Sequence, residues 1–560
     1  MRIKLVAFNG RYIHSCLALY YVREELRRRL PAASLSLYQY TINDPYYATL
    51  LKISDGSPEV VMFSVYIWNS ELVARLLADL VRVLPATVFV LGGPQAEHLD
   101  LGGLGPARVV RVLGPVEGLE DRFYTELGAG CLAPEYRGEP GHPFPSPYRA
   151  EDLTGELAHR QVYYESVRGC PFNCRYCLSS VEKGMAWKEL AQVEAELALI
   201  LAHRPGIIKF VDRTFNARPE RALAIWRFLA PRAGSTVCHF EMAPDLFTEE
   251  MFDFLAGLPI GVFQFELGIQ STNPVTLARV NRPMNLELAG KNIRRLAGLG
   301  NIHLHADLIL GLPGESADVF RNSLRQVFAM QPHHVQMGLL KVLPGTAMSR
   351  EDDLVHARRP PYEVLATDSL DPAGLAELFW LGECFEAFHN NRYFPSLWKW
   401  LRRGEEDIAS FFSGLLAVCR ARDFFARAAT QELLTGLLVE YTAPRPDTEL
   451  IRELLCHDWL ACGHRYLPPS LQGSLDPAGL REELARSMPA AWSPHYDYRT
   501  RAEFFRKSIF LRLSVQALNL LGLDSPDEGG VVAFLPEKSL GLHGFQKSLL
   551  LVVAPGAGKL

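Results

Sequence analysis

Between residues 161 and about 345, short apolar runs that suit strands alternate with helix-like stretches about six times. Strands that alternate with helices are joined by crossovers, and such crossovers build a parallel sheet. The strand candidates are residues 162–167, 207–211, 236–240, 262–267, 304–310 and 335–342. Six βα units suffice for a partial, TIM-like (β/α)6 barrel, whose chemistry belongs at the carboxyl ends of its strands. The unusual residues fall at those ends: Cys170 after the first, Asp212 after the second and Glu241 after the third. Glu266 and Gln270 close the fourth, Gly311 the fifth, and the turn Leu343-Pro344-Gly345-Thr346 the sixth.

The same alternation occupies residues 1–130, with strand candidates at 3–8, 34–40, 59–65, 87–91 and 109–113. Helix-like runs at 17–30 and 70–84 carry apolar residues three and four apart. A doubly wound, Rossmann-like α/β domain is expected, with ligands at the carboxyl ends of its strands. Residues 131–160 are rich in Pro and Gly and read as a linker between this domain and the barrel at 161–345. From 346 to 560 the strand pattern stops and amphipathic helices follow, so a mostly helical C-terminal domain of unknown role is expected.

Composition excludes several partners. The chain of 560 residues is 48% hydrophobic and 22% charged, with a net charge of −5 and no basic cluster, so no nucleic acid is expected. No apolar run reaches the ~18 residues of a membrane span, and MRIKLVAFNG reads as a strand rather than an export signal. A cytoplasmic location is expected.

Three of the ten cysteines fall within RGCPFNCRYCLSS, as Cys170, Cys174 and Cys177. Thiolates ligate iron–sulfur clusters, and a [4Fe–4S] cubane held by three of them keeps one iron open. An open metal position is where a substrate or cofactor binds. The alternatives are three unrelated buried cysteines or a zinc site lacking a ligand.

Over residues 160–345 this pattern resembles the radical S-adenosylmethionine (SAM) superfamily. The resemblance implies that the three cysteines hold the cluster and that SAM chelates the fourth iron. Reduction then cleaves SAM to a 5′-deoxyadenosyl radical, with flavodoxin or ferredoxin as the electron donor. Tyr176 matches the usual aromatic residue two places after the second cysteine. DRTFN at 212–216 stands where many members bind the SAM amino group, although it looks more like the DD-x-F turn of the cobalamin-linked subfamily. Asp212 is the best carboxylate there; a strand-end capping acid is the alternative. Glu241 in FEMAPD, and Glu266, Gln270 and Ser271 in FELGIQS, are candidates for SAM or substrate. For Glu266 the alternative is a buried acid paired with Arg279 or Arg282. Gly311 in LILGLPGE matches the stretch that faces adenine.

The N-terminal region resembles the cobalamin-binding domain that precedes many such barrels, as in class B methylases and Mg-protoporphyrin monomethyl ester cyclases. FSVYIWN, LGGPQAE and LGPVEG carry the likeness, and imply Ser64, Tyr66, Gly92, Gly93, Pro94 and Glu117 as cobalamin-binding residues. An ordinary Gly-Gly turn is the alternative for Gly92-Gly93. The D-x-H-x-x-G motif that puts a His under cobalt is absent; His14 lies in the corresponding loop, as a lower ligand or a packing or substrate-side residue.

Methyl transfer to an unreactive carbon of a small-molecule or natural-product substrate is the leading expectation. A radical SAM oxidoreductase with a vestigial cobalamin domain is a second, and a non-catalytic cobalamin and iron–sulfur sensor a third. A methylthiotransferase would need a second cysteine triad, and only Cys16 and Cys131 precede the barrel. APGAGKL at the C-terminus fails the P-loop spacing, and Cys456, His457, Cys462 and His464 match no standard zinc pattern.

Overall fold

The first strand, β1 (Arg2–Asn9), is buried along seven of its eight residues. A strand apolar on both faces must lie inside a sheet covered on both sides. In the computed structural model β1 is flanked by β2 (Ser34–Thr41) and β3 (Val60–Ser64), followed by β4 (Val88–Gly92), β5 (Val109–Leu113) and β6 (Glu135–Arg137). The model describes residues 1–103, 108–181, 184–351, 353–472, 477–486, 500–523, 529–536 and 548–551; the P-loop-like tail lies outside them.

The sheet is parallel, in the order β2-β1-β3-β4-β5-β6. Phe8, Phe63 and Phe89 pack on one face with Leu76 and Leu80 of the helix Ser70–Val83. Leu5, Met62 and Val110 pack on the other with Leu19, Leu26 and Phe123. The doubly wound expectation is met. The order reverses between β1 and β3, so a ligand crevice belongs at their carboxyl ends. There Ala7, Ser64 and Gly92 stand in register.

The segment read as a linker contributes to this sheet. Residues 135–137 form its edge strand, and Ala150–Thr154 a short helix. Arg23 reaches that helix, donating to Asp152 Oδ2 at 2.6 Å and to Pro147 O at 3.2 Å. Short-range composition marked the prolines and glycines but could not show these long-range partners.

All six strands expected for the barrel form: β7 (Val162–Tyr164), β8 (Ile207–Phe210), β9 (Val237–Met242), β10 (Phe263–Gln270), β11 (His303–Leu310) and β12 (His334–Leu339). The first four are parallel neighbours. Their side chains alternate. Phe210, Phe240, Phe263 and Phe265 turn to one face and pack around Trp226 of the helix Pro219–Leu229, with Phe265 and Trp226 centroids 5.4 Å apart. On the other face stand Tyr163, Lys209, His239 and Gln264, aligned by the pairs Tyr163↔Lys209, Lys209↔His239 and His239↔Gln264.

The chain forms two compact units. One holds residues Met1–Asn292, Gly311–Glu315 and Gly338–Pro372; the other holds Ile293–Leu310, Ser316–Met337 and Ala373–Leu560. The second unit is mostly helical, as expected, but it also contains an antiparallel sheet of β13 (Ile509–Leu513), β14 (Gly530–Pro536) and β15 (Ser548–Leu551). In the first unit Val355–His356 pairs with Val364–Ala366. The expectation that strands end at 346 is therefore corrected. These runs are short and pair antiparallel, so the parallel βα alternation used to find strands passes over them.

Candidate functional site

The cysteine loop begins where β7 ends. A two-residue strand, Val167–Arg168, pairs with Ala186–Trp187 and closes the loop at its base. Gly169 has φ +93°, and a Cβ there would meet Gly184 O at 2.2 Å, so only glycine lets the two arms of the loop approach. Cys174 is buried; Cys170 and Cys177 are half-buried, and none is in a disulfide. Cys170 Sγ lies 3.5 Å from Thr214 Oγ1. Arg282 directs Nη1 at Cys174 Sγ, 3.8 Å away, and donates Nη2 to Gly268 O at 2.7 Å. Burial and the neighbouring Cys174 push the Tyr176 hydroxyl well above its ordinary value. Among the described residues no group of three or more His, Cys, Asp or Glu is arranged to hold a single metal ion. A cubane asks something else, because each of its thiolates goes to a different iron.

The DRTFN turn braces the loops around the cysteines. Asp212 is fully buried, and its carboxylate accepts from Ser166 Oγ at 2.6 Å and from Ser166 N at 3.1 Å. Burial raises its carboxyl to about 6, against the Ser166 hydrogen bonds. This engagement of the Asp212 oxygens with Ser166 fits the capping alternative for the residue named as the best carboxylate of this turn. Asn216 exchanges two hydrogen bonds with Ala243, at 2.8 and 2.9 Å, and so ties the end of β8 to that of β9.

Glu266 sits at the centre of an ion network. Its Oε2 lies 2.9 Å from His239 Nε2 and 3.3 Å from Lys209 Nζ. Burial alone would raise this carboxyl, but the His239 hydrogen bond and the Lys209 charge outweigh it and hold it at about 2. The alternative of a paired acid is realised with different partners. Arg279 pairs with Asp353 and Asp368, and Arg282 faces Cys174. Glu241, in register with Glu266, is raised by burial to about 7, with Arg213 opposing. Gln270 has φ +71°, an uncommon conformation for a side-chain-bearing residue. Next to it, Ser271 Oγ donates to Glu315 Oε1 at 2.6 Å. Gly311 is buried with φ +82°.

At the mouth of the N-terminal sheet, Ser64 is buried, with its Oγ 3.4 Å from Cys16 Sγ. Tyr66 stacks on Trp68 with centroids 4.3 Å apart, and Trp68 is 49% exposed. Gly92 is half-buried; Gly93 and Pro94 are exposed. Glu117 is already occupied as a buried partner of Arg168, 3.2 Å away, and Arg168 also pairs with Glu165. His14 Nδ1 lies 2.7 Å from the Tyr163 hydroxyl, which ties the loop after β1 to β7.

Sequence reasoning passed over Tyr163, Lys209, His239 and Thr214, and named Arg282 only as a partner for Glu266. For the first three a signal existed: a polar residue at an alternating position within an apolar strand faces away from the helices. Cys456 and His457 lie on the helix Thr448–Ala461, where His457 contacts Ser396 and Asp458; His464 stacks on Trp459.

Residues 164–327 match the family described as the radical SAM superfamily, and residues 351–488 match a family of unknown function, DUF4080. The radical SAM match covers residues 164–327, and proteins similar to this chain in sequence include one named as cobalamin-dependent. The chain is 24% identical over 361 residues to the cobalamin-dependent radical SAM methyltransferase TokK of Streptomyces tokunonensis, covering 56% of this chain and 52% of that protein. It is 26% identical over 344 residues to a 2-(S-pantetheinyl)-carbapenam-3-carboxylate methyltransferase of Streptantibioticus cattleyicolor, covering 53% and 49%. The chain thus spans about half the length of these curated relatives. Among solved structures, the cobalamin-dependent SAM radical enzyme OxsB with aqua-cobalamin and SAM bound has a TM-score of 0.58 at 14% identity. That likeness covers 82% of this chain and 80% of OxsB, and it concerns the fold.

Proposed function

We propose that this chain is a cobalamin-dependent radical SAM enzyme that methylates an unactivated carbon of a small-molecule or natural-product substrate. The observation that carries this reading is the loop of three free cysteines at the carboxyl end of the first barrel strand, inside the radical SAM domain. When bound, the cluster supplies the electron that splits SAM into methionine and a 5′-deoxyadenosyl radical, and cobalamin supplies the methyl group. Cys170, Cys174 and Cys177 would hold the cluster, leaving one iron open for SAM. Tyr176, Glu241, Glu266, Gln270 and Gly311 would line the SAM site, with Asp212 acting through the turn it braces. Because the Lys209 charge and the His239 hydrogen bond keep Glu266 ionised, it can accept hydroxyl hydrogen bonds from a ribose.

For cobalamin, the parallel sheet offers a crevice at β1 and β3, with Ser64, Tyr66, Gly92, Gly93 and Pro94 at or beyond strand ends. The stacked, part-exposed Tyr66–Trp68 pair is an apolar surface suited to a flat macrocycle. Glu117 is left out because Arg168 takes its carboxylate, and His14 is read as a residue of the contact with Tyr163 rather than a cobalt ligand. A one-electron donor such as flavodoxin or ferredoxin completes the reaction. No helix among the described residues is long and apolar enough to cross a membrane. The ten free cysteines suit a reducing compartment such as the cytoplasm.

Anaerobic reconstitution tests the reading. The wild type should take up about four irons per chain and, with dithionite, release 5′-deoxyadenosine from SAM. The triple variant Cys170→Ala, Cys174→Ala, Cys177→Ala should lose both. Full iron content in that variant would place the ligands elsewhere. No uptake of hydroxocobalamin by the wild type would remove methyl transfer from the reading and favour the vestigial domain.

A further inference from the structure

The segment after the helix Pro274–Arg279 clasps the cysteine loop. Arg175 N donates to Val280 O at 3.0 Å, and Asn281 Nδ2 donates to Asn173 O at 2.8 Å. Asn281 takes φ +53°, and the turn is closed by Arg282 N donating to Leu277 O at 2.8 Å. These bonds fix the backbone of Arg282 against the loop. Its guanidinium is then fixed separately: Gly268 O at the end of β10 accepts from Nη2, and the Phe172 ring lies 5.3 Å from Cζ. What remains is Nη1, directed at Cys174 Sγ. The Nε of Arg282 is buried without a hydrogen-bond partner.

We infer that Arg282 is a redox-positioning residue: its guanidinium donates to the Cys174 thiolate and makes the cluster easier to reduce. The inference rests on the reading that the three cysteines hold a [4Fe–4S] centre. A reduced cluster carries one more negative charge than an oxidised one, and a fixed cation next to a ligand thiolate stabilises the more negative state. Hydrogen bonds to cluster sulfurs are among the levers that set these potentials. The electron comes from an external one-electron donor and goes to the cluster; Arg282 keeps its proton throughout, since a guanidinium is not deprotonated in proteins. Lysine cannot reproduce the arrangement, because a single ammonium lacks the planar fork that reaches Gly268 O and Cys174 together.

The test is an EPR-monitored potentiometric titration of reconstituted full-length protein without SAM, on wild type, Arg282→Met and Arg282→Lys, with iron content measured for each. All three should carry about four irons per chain. At the wild-type midpoint the ratio of reduced to oxidised cluster in Arg282→Met should fall about tenfold, a shift of about 59 mV to more negative potential for one electron. Arg282→Lys should fall between the two, because the charge remains while the geometry is lost. If Arg282→Met does not retain its cluster, the Lys variant decides by the same comparison. An unchanged midpoint in a variant of full iron content overturns the inference. A wild type that binds no iron overturns the cluster reading itself, and this inference with it.

Discussion

Glu315 is 1% exposed; its Oε1 accepts from Ser271, and its Oε2 is buried without a partner. A carboxylate so placed loses most of its hydration, and burial raises it to about 7 against the Ser271 hydrogen bond. The folded value lies above the unfolded one. The group therefore favours the folded state fully below its unfolded value, and that contribution is lost as pH rises through about 7. Glu315→Gln keeps the shape and removes the titration. Relative to this variant, the wild type should lose stability between pH 5 and pH 8, by up to about 3 kcal/mol for a shift of this size. Melting temperatures of both proteins across that range measure it; a constant difference would show that the carboxyl stays ionised in the fold. The Cys170, Cys174 and Cys177 motif could be read at the level of the residue because its spacing lies within one loop. The duties of Asp212 and Glu266 could not. Their partners Ser166, Lys209 and His239 lie 27 to 57 residues away along the chain, and only strand register brings them together.

At the scale of elements, the end of β4 shows why two adjacent glycines are not equivalent. A Cβ on Gly93 would meet Val65 O at 2.7 Å with φ at +97°, so Gly93 serves the packing of its own loop against β3. Gly93→Ala should destabilise the protein by about 1–3 kcal/mol, seen as a lower urea midpoint, whatever the state of the cofactor. It would thus be a poor probe of ligand approach. Gly92 is different: a Cβ there would meet only Val112 O, at an ordinary 3.8 Å. Gly92→Ala should keep the urea midpoint, and if corrin reaches this strand end it should weaken hydroxocobalamin binding in equilibrium dialysis about tenfold. Equal binding by Gly92→Ala and wild type would move the corrin away from β4. Which strands form, and their order along the chain, followed from apolar runs and their spacing. Which glycine is locked followed from the approach of Val65, a residue on a neighbouring strand's loop.

Across the first unit as a whole, the N-terminal sheet and the first barrel strands are joined by charge as well as by chain. Arg168, next to the cysteine loop, pairs with Glu117 beyond β5 and with Glu165 after β7. The Glu117 side chain is only 3% exposed, so removing its cation leaves a buried charge unpaired. Arg168→Ala should cost about 3–5 kcal/mol, read as a lower urea midpoint, whereas Arg168→Ala combined with Glu117→Gln should recover part of that loss. No recovery in the double variant would mean that Arg168 acts through its stacking on Phe144, 4.3 Å away, and not through the ion pair. The sequence by itself determined the α/β class, the strands of both parallel regions apart from the edge strand at 135–137, and the cysteine loop, because each is encoded in periodicity or spacing over a few residues. Only the tertiary structure decided that residues 135–137 complete a sheet, that Lys209 and His239 hold Glu266, and that Arg282 faces Cys174. Those facts depend on strand register and on side chains from distant segments meeting, and a buried charge takes whichever partner the fold brings within reach.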